Sequence, residues 1–150
     1  MINTPGSNTL VIVDSDALIG LIHEDDELHE RCLEVSEYLS LNSCGTIVPY
    51  PIVLEAATTL AKDKTIRRLD LAKKLLQDYA SIEEEPNVNL NVADLVASLY
   101  DPKTSRKNSP FDHYVLASAK KNNIKYVFSF DSFYKKNGLT LMGDIIKQSG

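Results

Sequence analysis

Cysteine is scarce in this 150-residue chain: Cys32 and Cys44 are the two, and their spacing suits neither a metal knuckle nor a disulfide framework. Both thiols are expected to stay reduced, in a protein of the cytoplasm. Long apolar runs are missing as well. The longest fall far short of the roughly 20 residues a membrane-spanning helix needs, so no membrane role is expected. A secretory leader is not expected either, because the amino terminus lacks a basic start and Asp14 and Asp16 break its apolar stretch. Nor is there an excess of positive charge. Lys and Arg number 16 against 21 Asp and Glu, a formal charge of −5, which argues against a general nucleic-acid coat protein.

What is present reads as an ordinary soluble domain. Apolar residues make up 43% and charged residues 25%, so disorder is expected only at the ends. One domain over 1–150 is expected, with 1–8 and 148–150 as loose ends. Basic residues cluster at Lys62, Lys64, Arg67 and Arg68, at Lys73 and Lys74, and at Lys103, Arg106 and Lys107.

Two short apolar runs, TLVIVD (9–14) and KYVFSFD (125–131), have the length and the β-branched or aromatic content of buried strands. Each ends in Asp, which places Asp14 and Asp131 at the carboxyl edge of a sheet, where open α/β sheets bind ligands. Between them, apolar periodicity predicts helices over 15–23, about 27–42, 49–62, about 65–80, 92–100 and 109–121. Short strands are expected at 46–48, 88–90 and 139–142, and 101–110 as a polar loop. Strands alternating with helices predict an α/β fold with a mainly parallel sheet covered on both faces.

Glu55 and Asp112 sit near the starts of two of these helices. Four carboxylates gathered at one sheet edge repel one another unless a cation intervenes, and hard divalent ions, Mg²⁺ or Mn²⁺, suit oxygen ligands. If those four acids serve one ion, the remaining 17 acids nearly balance the 16 bases. Each acid also has a plainer reading. Asp14 and Asp112 could serve as helix caps or first-turn acids, and Glu55 could face solvent. His23, His29 and His113 are read as surface or packing residues.

The ordered set VIVDSDALIGLI, PIVLEAATTLA, FDHYVLASAKKNNIKYV and VFSFDSF resembles the PIN-domain nucleases. Asp14, Glu55, Asp112 and Asp131 match that family's acidic positions one by one, at separations of 41, 57 and 19 residues. Ser129, Asp131 and Phe133 fit its last motif. The resemblance implies a three-layer α/β/α sandwich and a Mg²⁺- or Mn²⁺-dependent endoribonuclease whose catalytic and metal-binding acids are those four. Asp16 departs from the pattern, since many relatives carry Ser, Thr or Asn there. It could ligate the metal, raise a neighbour's pKa by like-charge repulsion, or turn away as a first-turn acid. Ser15 and Ser129 are candidates to orient the ligands. Small PIN proteins of this length most often resemble the VapC toxins of toxin–antitoxin pairs, although a housekeeping RNA-processing enzyme fits nearly as well. That likeness implies an RNA substrate, a homodimer and a VapB-like antitoxin.

Two other readings stay open. The resemblance also covers PIN-like modules that bind RNA or act as scaffolds without cutting. VIVDSD in turn resembles the first motif of haloacid-dehalogenase-type phosphatases, although Gly143-Asp144, the sole candidate for their late acidic element, lies too near the carboxyl terminus.

Overall fold

A computed structural model describes residues 5–82 and 85–149, with side chains through 147. Parts of the expected loose ends and of the expected break at 83–86 (residues 1–4, 83, 84 and 150) lie outside the described residues.

The chain runs through β1 (Leu10–Val13), α1 (Ser15–Ile22), α2 (His29–Leu41), β2 (Gly45–Ile47), α3 (Tyr50–Lys62) and α4 (Leu69–Asp78). It continues through α5 (Ala93–Leu99), α6 (Pro110–Lys121), β3 (Tyr126–Phe128), α7 (Ser132–Lys136), β4 (Thr140–Leu141) and α8 (Met142–Ser149). The four strands are all parallel, in the order β2-β1-β3-β4. Successive strand residues point to opposite faces, yet Val11, Ile12 and Val13 are all buried, as are Tyr126, Val127 and Phe128. Both faces are therefore covered, as an α/β sandwich requires. Burying each such aliphatic side chain contributes about 1.5–3 kcal/mol.

The strand order positions the site. The connection leaving β1 crosses to β2 on one side, whereas the one leaving β3 goes to β4 on the other. The crevice between the carboxyl ends of β1 and β3 is thus the switch point of the sheet, where such folds bind ligands. Asp14 directly follows β1, and Ser129 to Asp131 directly follow β3.

Local chemistry sets the helix boundaries. Asp26 Oδ1 accepts from the Leu28 amide at 2.8 Å, starting the turn into α2. Gly20 lets α1 and α2 close on each other, since a Cβ there would collide with Cys32 Sγ. Both cysteines are free, and burial pushes the Cys32 thiol up to about 12.

Four expectations need correction. The helix expected from 65 starts at Leu69, because Arg67 adopts φ 46° and the Arg68 amide turns back to the Leu60 carbonyl at 2.7 Å. The segment 88–90 is not a strand. Asn122 supplies there what a neighbouring strand would, its Oδ1 accepting from the Asn89 amide and its Nδ2 donating to the Asn89 carbonyl, both at 2.8 Å. The strand expected at 139–142 shrinks to two residues and gives way to α8. The short helix α7 was not anticipated. No helix among the described residues is long and apolar enough to cross a membrane.

Candidate active site

β1 delivers Asp14 to the switch point as the residue capping α1, and only 3% of it is exposed. Its Oδ1 accepts from the Ser15 amide at 2.7 Å and its Oδ2 from the Tyr134 hydroxyl at 2.6 Å. Tyr134 is wholly buried, and its hydroxyl is raised far beyond its ordinary value, first by burial and then by Asp14, so it stays a donor. Burial and then the charge of Asp16 raise the Asp14 carboxyl well above its ordinary value, while Tyr134 and Ser15 pull it down and Asp112 adds a smaller upward push.

Asp16 turns inward across the crevice. Its Oδ2 accepts from the Ser129 hydroxyl at 3.0 Å and from the Phe130 amide at 2.8 Å, tying the start of α1 to the end of β3. Burial raises its pKa against those bonds, and Asp131 raises it slightly further. Ser129 also accepts from the Asp131 amide at 3.1 Å, so one hydroxyl orients two acids.

Asp112 forms a capping box with Ser109 at the start of α6. Ser109 Oγ accepts from the Asp112 amide at 3.4 Å, and Asp112 Oδ2 accepts from the Ser109 amide at 2.9 Å. Asp131 caps α7, its Oδ1 accepting from the Phe133 amide at 2.9 Å. Capping and facing the crevice are thus not alternatives here. Asn108 joins the two acids, its Nδ2 donating to Asp131 Oδ2 at 3.1 Å and to Asp112 Oδ2 at 3.3 Å. Burial raises Asp112, opposed by Ser109 and Asn108 and reinforced by Asp131.

Glu55 is half-buried on α3, with Oε1 enclosed and without a hydrogen-bond partner. Burial raises its pKa most, Ser15 lowers it in part through a hydrogen bond, and Asp112 and Asp16 push it up. Each of the five acids is therefore within electrostatic reach of at least one other. Among the described residues the ion pairs are Arg68–Asp70, Lys74–Asp78 and Lys135–Asp144, so no Lys or Arg pairs with the cluster. Hard oxygen donors, an orphaned carboxylate oxygen and uncompensated charge suit a hard divalent ion. As they stand, however, no group of three or more His, Cys, Asp or Glu among the described residues is arranged to hold a metal.

Sequence reasoning missed Asn108 and Tyr134. Asn108 lay in a polar loop with no pattern, and Tyr134 in a helix of five residues, too short to show a period. His113 packs, as read from sequence: it is buried between Tyr100 and Phe133, with Nδ1 against the Ser109 carbonyl at 2.9 Å and Nε2 against Ser105 Oγ at 3.2 Å. A larger cavity of about 590 Å³ lies beside β2 and α4, lined by Val48, Tyr79 and Leu90 among others and by none of the five acids.

Comparison with known proteins agrees with this architecture. The fold is similar to that of VapC20 from Mycobacterium tuberculosis, a toxin that cleaves the sarcin–ricin loop, with a TM-score of 0.70 and 15% identity, covering 87% of this chain and 96% of that one. No curated protein matches its sequence. The model of the PIN domain family matches residues 11–138, most of the chain, and this excludes the phosphatase reading of VIVDSD. The chain belongs to the PIN domain family.

Proposed function

We propose that this protein is a Mg²⁺- or Mn²⁺-dependent endoribonuclease, the toxin of a toxin–antitoxin pair. The observation that carries the reading is the partly buried set of carboxylates, with no Lys or Arg paired to it, at the sheet switch point of a PIN-family chain. Like charges in a low-dielectric crevice are unfavourable on their own, and a cation relieves that cost.

Asp14, Asp112, Asp131 and Glu55 would hold the ion, with Asp16 beside them. A divalent ion bound there supplies charge for the phosphate and activation of water. The protein's own groups prepare the site. Tyr134 and Ser15 fix the two oxygens of Asp14, and Ser129 fixes Asp16 and the chain entering Asp131. Asn108 holds Asp112 and Asp131 at a set separation, so the carboxylates are oriented before substrate arrives. Lys103, Arg106 and Lys107 are exposed on the loop leading to Asn108 and offer a cationic rim to RNA phosphates. An antitoxin that covers the crevice would silence the enzyme, and a homodimer is expected from likeness to the VapC toxins.

The test is cleavage of RNA, including a sarcin–ricin-loop oligonucleotide, with Mn²⁺, with Mg²⁺ and with chelator. Asp14→Asn and Asp112→Asn should each abolish cleavage while melting at the same temperature as the parent or higher, since like charges are removed. Full activity in either variant would refute the assignment. One observation favours a second reading, an RNA-binding module without catalysis: no three acids stand as a ready-made ligand set. That reading predicts RNA retained on a filter with no metal-dependent cleavage.

A further inference from the structure

Beside the acidic crevice, on its Asp16 side, lies a second feature that the acids do not explain. The Phe130 amide donates to Asp16 Oδ2 at 2.8 Å, so the residue is anchored at the site through its backbone. Over its ring lies Arg31 from the first turn of α2, the guanidinium carbon 4.6 Å from the ring centroid. Gly143, at the start of α8, completes the arrangement. A Cβ there would stand 3.2 Å from Phe130 Cε1 and 3.3 Å from Arg31 Nη2, so the absence of a side chain leaves the stack its room.

These residues line a groove of about 260 Å³, with Lys147 on the same wall and Glu34 as its one acid. None of the ion pairs among the described residues involves Arg31 or Lys147. A guanidinium held over an aromatic ring is pre-organised, and its N–H groups form the fork that matches a phosphate.

We infer that Arg31, stacked on Phe130 in the groove between α2 and α8, binds a backbone phosphate of the RNA flanking the scissile one. This rests on the nuclease reading above. The acids alone would repel a polyanion, and a cation braced on Phe130 at the Asp16 side complements the exposed cations of the 103–107 loop. Because the contact is to the backbone, it positions RNA without selecting sequence.

The experiment compares the parent with Arg31→Met, which keeps an unbranched stem on Phe130 but loses the charge and the donors. KM for a single-stranded RNA should rise about 10–100-fold, the worth of one charged hydrogen-bonded contact, with kcat within about threefold. The slope of log affinity against log salt should fall by about 0.7, and Mn²⁺ binding by calorimetry should be unchanged. Gly143→Ala, which displaces the guanidinium without removing it, should raise KM while leaving the salt slope near that of the parent. An unchanged KM and salt slope in Arg31→Met, or a fall in kcat alone, would overturn the inference. Filter binding of the same RNA in chelator, in an Asp112→Asn background, separates the two readings. Weaker, less salt-sensitive binding there in Arg31→Met upholds the phosphate contact even if the parent cleaves nothing. Metal-dependent cleavage by the parent with no binding difference sinks Arg31 alone.

Discussion

Replacing Tyr134 by Phe removes one oxygen from the interior and leaves the packing of the ring intact. That oxygen donates to Asp14 Oδ2 at 2.6 Å, both residues being buried. A hydrogen bond to a charged buried group contributes about 1.5–3 kcal/mol. The expected loss is therefore about 2 kcal/mol in the metal-free protein, which in a domain of this size lowers the melting temperature by about 4–8 °C. The loss should depend on pH. Because Asp14 is raised well above its ordinary 3.8 when folded, the native state holds that proton more tightly than the unfolded chain. Its contribution to stability therefore falls as pH rises from the unfolded value through the folded one. Removing the donor deepens that fall, so parent and variant should differ most above the folded pKa of Asp14 and converge on acidification. Thermal melts followed by circular dichroism between about pH 4 and about pH 8 would show it. Activity should drop about 10–100-fold, as for other groups that orient ligands. Equal melting temperatures at neutral pH, or a gap that stays constant across the range, would refute the reasoning.

Other consequences can be measured in the same way. Asn108→Ala frees Asp112 from Asp131 and should weaken Mn²⁺ binding about 10–100-fold by calorimetry; unchanged affinity would show that the bridge does not shape the site. Asp14, Asp16, Glu55 and Asp112 are all raised when folded, so the metal-free protein should gain stability as pH falls from neutral toward about 5. Saturating Mn²⁺ should raise the neutral melting temperature and flatten that trend. A metal-free protein whose melting ignores pH in this window would mean that the carboxylates do not strain the fold.

The parts legible in the sequence were those carried by strong local patterns. The strands leading to Asp14 and Asp131 announced themselves because both faces of a parallel sheet are buried, which leaves unbroken apolar runs, although the second stops at Phe128, short of the expected end. Amphipathic α2 showed its stripe through Cys32, Val35 and Leu39, all buried. The rest depends on partners distant in the chain. Val88 to Leu90 carries strand-like residues, yet a side-chain amide rather than a strand meets its backbone. Asn108 acquires a role only when α6 and β3 bring Asp112 and Asp131 to either side of it. Strand order, which locates the crevice, likewise has no signature in local periodicity.

The contact between Gly20 and Cys32 makes volume at those two positions a shared quantity. A methyl gained on the first helix has to be matched by atoms shed on the second, because neither backbone can retreat without dragging Asp14 or Arg31 along with it. Drift in this hairpin should thus proceed by paired exchanges, leaving the crevice undisturbed while its scaffold changes composition.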